Sequence, residues 1–205
     1  MEKQPSATII AELVCTRISH DVIGNVGAVS NAVELLEEGD EEFLGDIKSI
    51  LKTSSGVLSA RLKFFRMAFG LNNANLDKIE MVKVICEDYL KTIGNQNYPI
   101  ELSFNLQTAP FCKLAMVCVM IVADCFIRGG KITVSEENAQ SLLINAVSPS
   151  PLSAEKIAAL KAIADGAAIE LNAQYAPLYY LLSILRPAGI GLEIDSSAGL
   201  ALKIA

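Results

Sequence analysis

Residues 14–36 read VCTRISHDVIGNVGAVSNAVELL, and the period of their apolar residues decides how the chain begins. At about 100° per residue, Val14, Ile18, Val22, Val26, Val29, Val33 and Leu36 fall on one stripe, the pattern of an amphipathic helix. Gly39 stands where a helix C-terminus favours a left-handed residue. Asp40 can cap a following helix, with Glu41 and Glu42 in its positive first turn. That second helix repeats the pattern with Leu44, Ile47, Leu51, Leu58, Leu62, Phe65 and Phe69. Two helices joined by a Gly-Asp turn make an antiparallel hairpin.

Such a hairpin buries one face of each helix and leaves side rows uncovered. Ile10, Leu13 and Leu35 lie on the first helix, and Ile50, Val57 and Phe64 on the second. Two hairpins packed together would cover them in a four-helix bundle, so the expectation is a homodimer through this segment. The alternative is a monomer whose remaining chain covers the same rows.

Beyond Gly70 the pattern changes, and residues 1–72 and 77–205 are read as two domains. Asp77 with Glu80 three residues on resembles a capping box opening a helix to about Lys91. A β-like run follows at Ile100–Leu106, then a buried helix from about Lys113 to Phe126 and a Gly129-Gly130 turn. Strands are expected at Lys131–Ser135 and Ser141–Val147, helices at about Ser153–Ala164 and Tyr175–Leu185, and paired closing strands at Leu192–Ile194 and Leu200–Ile204. Helices and strands alternate without a regular βαβ rhythm. The whole is therefore an α+β chain, its second part a two-layer α/β sandwich with a mixed or antiparallel sheet.

Composition removes several classes of function. The net charge of -6 over 205 residues, with 52% hydrophobic residues, leaves no basic stripe for nucleic acid and no electrostatic membrane anchor. The N-terminus has acidic residues and no long apolar run, so it does not read as a signal peptide. Leu114–Ile127 is too short to span a bilayer and contains Asp124. The five cysteines form no C-x-x-C pair, and a single histidine cannot help them build a zinc site. That usage suits a reducing cytoplasm.

The single histidine, His20, lies on the far side of the first helix from its apolar stripe. Gly24 and Gly27 follow at i+4 and i+7 and bare the surface below the imidazole. A glycine inside a helix costs about 1 kcal/mol relative to Ala, so two of them on this face weigh against a plain surface histidine. Close helix–helix packing through the glycines is the competing account. A neutral imidazole is nucleophilic near neutral pH and can accept and return a phosphoryl group. Arg17 could steady a phosphate or pair with an acidic partner. Asp21 could accept from Nδ1–H and leave Nε2 free to attack. An antiparallel hairpin brings Ser59, Lys63 and Arg66 to about the height of His20, with Lys63 facing solvent.

Ser19-His20-Asp21-Val22-Ile23-Gly24-Asn25-Val26-Gly27-Ala28-Val29, with Asn31 and Glu34-Leu35-Leu36, resembles the H-box region of histidine kinase dimerisation domains. More narrowly, the chain resembles the alphaproteobacterial ChpT-type histidine phosphotransferases. Phe64-Phe65-Arg66-Met67-Ala68-Phe69-Gly70 is similar to that family's second-helix ending. Ala123–Val134 stands where a kinase carries its ATP-binding N-box and following strand. The chain departs from histidine kinases at Asn25, where they place Pro.

The resemblance implies a hairpin that dimerises into a four-helix bundle carrying the phosphorylated histidine, here His20, and a second domain that is a relic of the kinase ATP-binding fold. It implies a relay between the receiver domain of a hybrid kinase and those of response regulators, with Mg²⁺ supplied by the receiver. Arg17, Asp21, Gly24, Gly27, Ser59, Lys63 and Arg66 would line the docking face. No cofactor is expected. The Val117–Phe126 helix has no Asn to hold Mg²⁺ against nucleotide phosphates, and Ala188-Gly189-Ile190-Gly191-Leu192 lacks an accompanying Asp-x-Gly-x-Gly segment. ATP binding is therefore not expected. The competing readings are an ATP-dependent histidine kinase core, a non-catalytic dimeric scaffold and a sequestering pseudo-kinase.

Overall fold

Two long helices open the fold, α1 at Ala7–Glu38 and α2 at Leu44–Phe69, and they pack along each other as a hairpin. The computed structural model describes residues 5–38, 43–71, 75–138, 140–167 and 170–205. The expected Gly39-Asp40 turn, with Glu41 and Glu42, lies outside the described residues. The Ser6 hydroxyl accepts from the Ile9 amide at 3.3 Å and so satisfies one of the free donors at the start of α1. From there α1 runs unbroken through Gly24, Asn25 and Gly27.

Among the described residues, five strands and four α-helices follow. They are α3 (Ile79–Lys91), β1 (Ile100–Asn105), α4 (Cys112–Ala123), β2 (Gly130–Asn138), β3 (Ser141–Val147), α5 (Ala154–Ala164), α6 (Ala176–Leu185), β4 (Leu192–Asp195) and β5 (Leu200–Ile204). The sheet order is β1-β2-β3-β5-β4. Only β1 and β2 run parallel, with Ile100 opposite Gly130 and Asn105 opposite Ser135; the other pairs are antiparallel. A parallel pair needs a crossover, and α4 supplies it. Ile132 and Val134, Leu142, Ile144 and Ala146, and Leu200, Leu202 and Ile204 alternate with less buried residues. One face of the sheet is therefore core and the other faces out, as in a two-layer sandwich. Every residue of α4 from Ala115 to Ala123 is buried.

The Gly129-Gly130 turn is required by the backbone. Gly129 has φ +53° and Gly130 φ +148°, and a Cβ at either would collide with the Pro99 or Val147 carbonyl. The Asp77 capping box is not formed. Helix α3 starts one residue later than that motif needs, with Lys78 at its N-cap and no side-chain cap. Ser153 does cap α5, accepting from the Lys156 amide at 3.4 Å.

A single buried cluster runs from Ile10 and Val14 of α1 and Phe64, Phe65, Met67 and Ala68 of α2 into α3, α4, α6 and the sheet. The Phe64 ring stacks on Tyr89 of α3, with centroids 3.8 Å apart and planes 11° from parallel. Phe69 meets Tyr180 of α6 edge-on. This corrects the reading of the side rows. Ile10 and Phe64 are buried, and Leu13 and Val57 half-buried, while Leu35 and Ile50 are exposed. The rest of the chain covers the rows at the end where α1 starts and α2 finishes, and does not reach the far end. Ile23, Val26, Val33, Leu35, Leu36, Phe43, Ile50 and Leu62 remain exposed along the hairpin. No helix among the described residues is long and apolar enough to cross a membrane.

Candidate functional site

His20 stands on the open side of α1 with its side chain 85% exposed. A Cβ at Gly24 or Gly27 would meet nothing within 4 Å. The glycines are thus not there for close packing within this chain, and they leave the helix surface under the imidazole flat.

Asp21 is fixed from two directions. Its Oδ2 accepts from Arg17 Nε at 2.8 Å, and its backbone carbonyl accepts from Arg61 Nη1 of α2. Arg61 also donates through Nε to the Thr92 hydroxyl and through Nη2 to the Thr92 carbonyl, each at 3.1 Å. The other carboxylate oxygen, Asp21 Oδ1, lies 3.6 Å from His20 Nδ1. That is longer than a hydrogen bond but short enough for the carboxylate's charge to act on the ring.

Arg17 does not present itself to solvent. Its side chain is only 12% exposed. Nη1 and Nη2 grip Asp124 Oδ2 and Oδ1 at 2.7 and 2.9 Å, and Nη1 also donates to the Gln174 carbonyl at 3.0 Å. Burial works against the guanidinium charge, but hydrogen bonds and attraction from Asp124, then Asp21, outweigh it and raise the Arg17 pKa above its ordinary value. The expectation that Arg17 is available to a phosphate or an acidic partner is therefore corrected. Its donors are committed within the chain, and it joins α1 to the end of α4 and the turn before α6.

The hairpin register follows from Arg61 meeting Asp21. Ser59 and Lys63 sit within about 3 Å of rise of Arg61, and Arg66 about 7 Å further along. All three are exposed. Ser59 and Lys63 turn into a groove between α2 and α3, whose wall also carries Lys52, Asp88, Lys91 and Thr92.

Asp124 and Arg61 were not singled out as site residues from the sequence. A signal for Asp124 was present, because it is the only charge in the apolar run Leu114–Ile127. An acid that ends a helix buried from Ala115 to Ala123 requires a partner. The identity of that partner, 107 residues away, is a tertiary fact. Among the described residues no group of acidic, cysteine and histidine side chains is placed to hold a metal ion. The glycines at 189 and 191 serve the passage from α6 to β4: Gly189 takes φ +69°, and Gly191 pairs with Ala205.

Residues 84–199, more than half of the chain, match the family described as histidine phosphotransferase C-terminal domain. The chain belongs to that family. This histidine phosphotransferase chain is also 28% identical to the protein phosphotransferase ChpT of Brucella abortus (strain 2308), over 94% of its own length and 93% of that relative's. A solved bacterial phosphotransferase superposes on it with a TM-score of 0.77, covering all of both chains at 24% identity. The family match spans α3 to the β4–β5 turn. The hairpin that carries His20 precedes it.

Proposed function

We propose that this protein relays a phosphoryl group between receiver-domain aspartates of a hybrid kinase and of response regulators, with His20 as the residue that carries it. The observation behind this reading is the protein's one imidazole, exposed over a glycine floor, with a carboxylate beside its Nδ1. In the transfer, the lone pair of Nε2 attacks phosphorus and an N–P bond forms. The P–O bond of the partner's aspartyl phosphate breaks, and its electron pair leaves with the aspartate carboxylate. The Nδ1 proton stays on the ring, where Asp21 faces the positive charge that develops. The receiver domain brings its own Mg²⁺, so this chain has only to position a nucleophile.

Gly24 and Gly27 form the floor of the docking face in this reading, and Ser59, Lys63 and Arg66 would extend it along α2, the first two from the wall of the groove between α2 and α3. The exposed apolar residues at the far end of the hairpin suit a second copy of the chain, which would complete a four-helix bundle. We place the protein in the cytoplasm, in keeping with its five unpaired cysteines. ATP is not a substrate in this reading. Asp124, within the stretch that stands in place of a kinase nucleotide segment, has both carboxylate oxygens engaged by Arg17.

The deciding experiment mixes the protein with a phosphorylated receiver domain. Wild type acquires acid-labile, base-stable label and His20→Ala acquires none while keeping its helical content. Absence of label on wild type with a competent donor rejects the relay. Micromolar ATP binding in a calorimetric titration would favour the kinase reading instead.

A further inference from the structure

A guanidinium with three donor nitrogens sits between two carboxylates, and only one of these carboxylates faces the histidine. Arg17 spends Nη1 and Nη2 on Asp124 and only Nε on Asp21. The single bond to Asp21 occupies Oδ2 and turns Oδ1 toward Nδ1 of His20. Asp124 is itself held from behind, since Lys156 Nζ donates to its backbone carbonyl at 2.6 Å.

We propose that Asp124 is a positioning residue for phosphotransfer: by holding two arms of Arg17, it keeps one oxygen of Asp21 free to orient the His20 ring. The inference rests on the reading of His20 as phosphoacceptor. A neutral imidazole has its proton on either nitrogen, and a carboxylate charge beside one nitrogen favours the proton there and leaves the other to attack. With Asp124 in place, the charge of Asp21 Oδ1, 3.6 Å from Nδ1, favours the proton on that nitrogen, and Nε2 keeps its lone pair. Without Asp124, the guanidinium is free to turn its paired nitrogens onto Asp21 as a fork. Both oxygens of Asp21 are then engaged, and the ring loses its orienting neighbour.

Each element around the network contributes a named group. Arg17 and Asp21 come from α1, Arg61 from α2, Tyr89 from α3, Asp124 from the end of α4 and Lys156 from α5. Tyr89 lies beneath them with its phenol pKa raised, first by burial and then by the Asp124 charge. Arg61 holds the Asp21 backbone independently of Asp124. With Asp124 lost, Arg61 still holds the Asp21 backbone to α2, so the effect on the Asp21 side chain can be read with the circular dichroism of the fold beside it.

The test uses the fact that His20 is the only histidine, so its two ring nitrogens give the only imidazole signals in a ¹⁵N spectrum. Wild type, Asp124→Asn, Asp21→Asn and the double variant are compared in the full-length protein, with circular dichroism reporting the fold. Asp124→Asn is expected to lower the Nδ1–H fraction and to slow labelling from a phosphorylated receiver by on the order of tenfold, less than the roughly 10²–10⁴-fold that a positioned acid or base itself contributes. The double variant should match Asp21→Asn alone, because the two residues act in series. Unchanged tautomer populations in a folded Asp124→Asn protein, or additive effects in the double variant, overturn the proposal. Should Asn at 124 prevent folding, Arg17→Lys provides the second test. An ammonium cannot fork onto Asp124 and also hold Asp21, so the Nδ1–H fraction must again fall, and an unchanged spectrum rejects the idea. The tautomer readout requires no phosphate, so failure of the relay and failure of the positioning role are told apart.

Discussion

Arg17 and Asp124, 107 residues apart in sequence, meet through two parallel hydrogen bonds of 2.7 and 2.9 Å at the base of the helical hairpin. The pair is three turns of helix or less from every group that surrounds His20 on α1. It also ties α1 to the end of α4 at the same point where Asp21 is gripped. Mechanical attachment and placement of the site are therefore the work of one side chain.

Replacing Arg17 by Met leaves two largely buried carboxylates without their counter-charge. Breaking a buried ion pair from one side costs about 3 kcal/mol or more. Urea denaturation should show the midpoint falling with little change in slope. A loss below about 1 kcal/mol would mean the pair behaves like an exposed one.

Gly24→Ala and Gly27→Ala should each raise stability, by up to about 1 kcal/mol, because the added methyl meets open space. Gly24→Phe should slow phosphotransfer at least as strongly as it leaves stability unharmed, since a ring there covers the floor under the imidazole. Thermal melts and labelling rates measured on the same samples check both. A Gly24→Phe protein that transfers phosphate normally would remove Gly24 from the docking face.

The far end of the hairpin should hold two chains together. Leu35→Glu places a charge on an exposed apolar position and is expected to convert a dimer to monomer in sedimentation, with circular dichroism unchanged. Monomeric wild type at the same concentration would argue against the bundle.

Thiol reactivity should separate one cysteine from the other four. Cys15 is exposed, whereas Cys86, Cys112, Cys118 and Cys125 are buried. Burial pushes the Cys112 thiol up to about 11 and the Cys125 thiol up to about 12. Near pH 8, where a free thiol is already partly ionised, a disulfide reagent should titrate one group quickly in the native protein and five after denaturation.

Glu137 and Lys203 face each other at 2.6 Å on the outer side of the sheet. The Lys203 hydrogen bond lowers the Glu137 pKa, and the Glu137 hydrogen bond raises that of Lys203. The carboxylate's contribution is present above its unfolded value, about 4.3, and is lost as pH falls through its lowered folded value. The ammonium's contribution is present below its unfolded value, about 10.4, and is lost as pH rises through its raised folded value. Lys203→Met should make the acid limb of a stability–pH curve shallower at low salt, and added salt should shrink the difference.

The helical hairpin was legible because a long period-3.6 pattern is a local property, and Val14, Ile18 and Val22 announce it without help from the rest of the chain. The strands at Ser141–Val147 and Leu200–Ile204 were legible as short apolar runs bounded by turn residues, whereas the alternation of their burial belongs to the folded sheet. The capping of α3 was misread because Asp77-x-x-Glu80 satisfies the spacing of a capping box while the helix begins after Lys78. Spacing does not determine which residue leaves helical geometry.

His20 as the one imidazole, its polar face and its two bare glycines were determined by the sequence alone, since each follows from composition or from angular position on a single helix. Two matters were left to the tertiary structure. Arg17 turned from an expected surface cation into a buried clamp, because Asp124 sits at the end of a buried helix and needs a counter-charge that only α1 supplies. The side rows of the hairpin were divided between the rest of the chain, over Ile10 and Phe64, and open space, over Leu35 and Ile50. The physical reason is common to both: a buried charge and an apolar row each demand a partner, but the partner is chosen by how distant segments pack, and no local pattern carries that information.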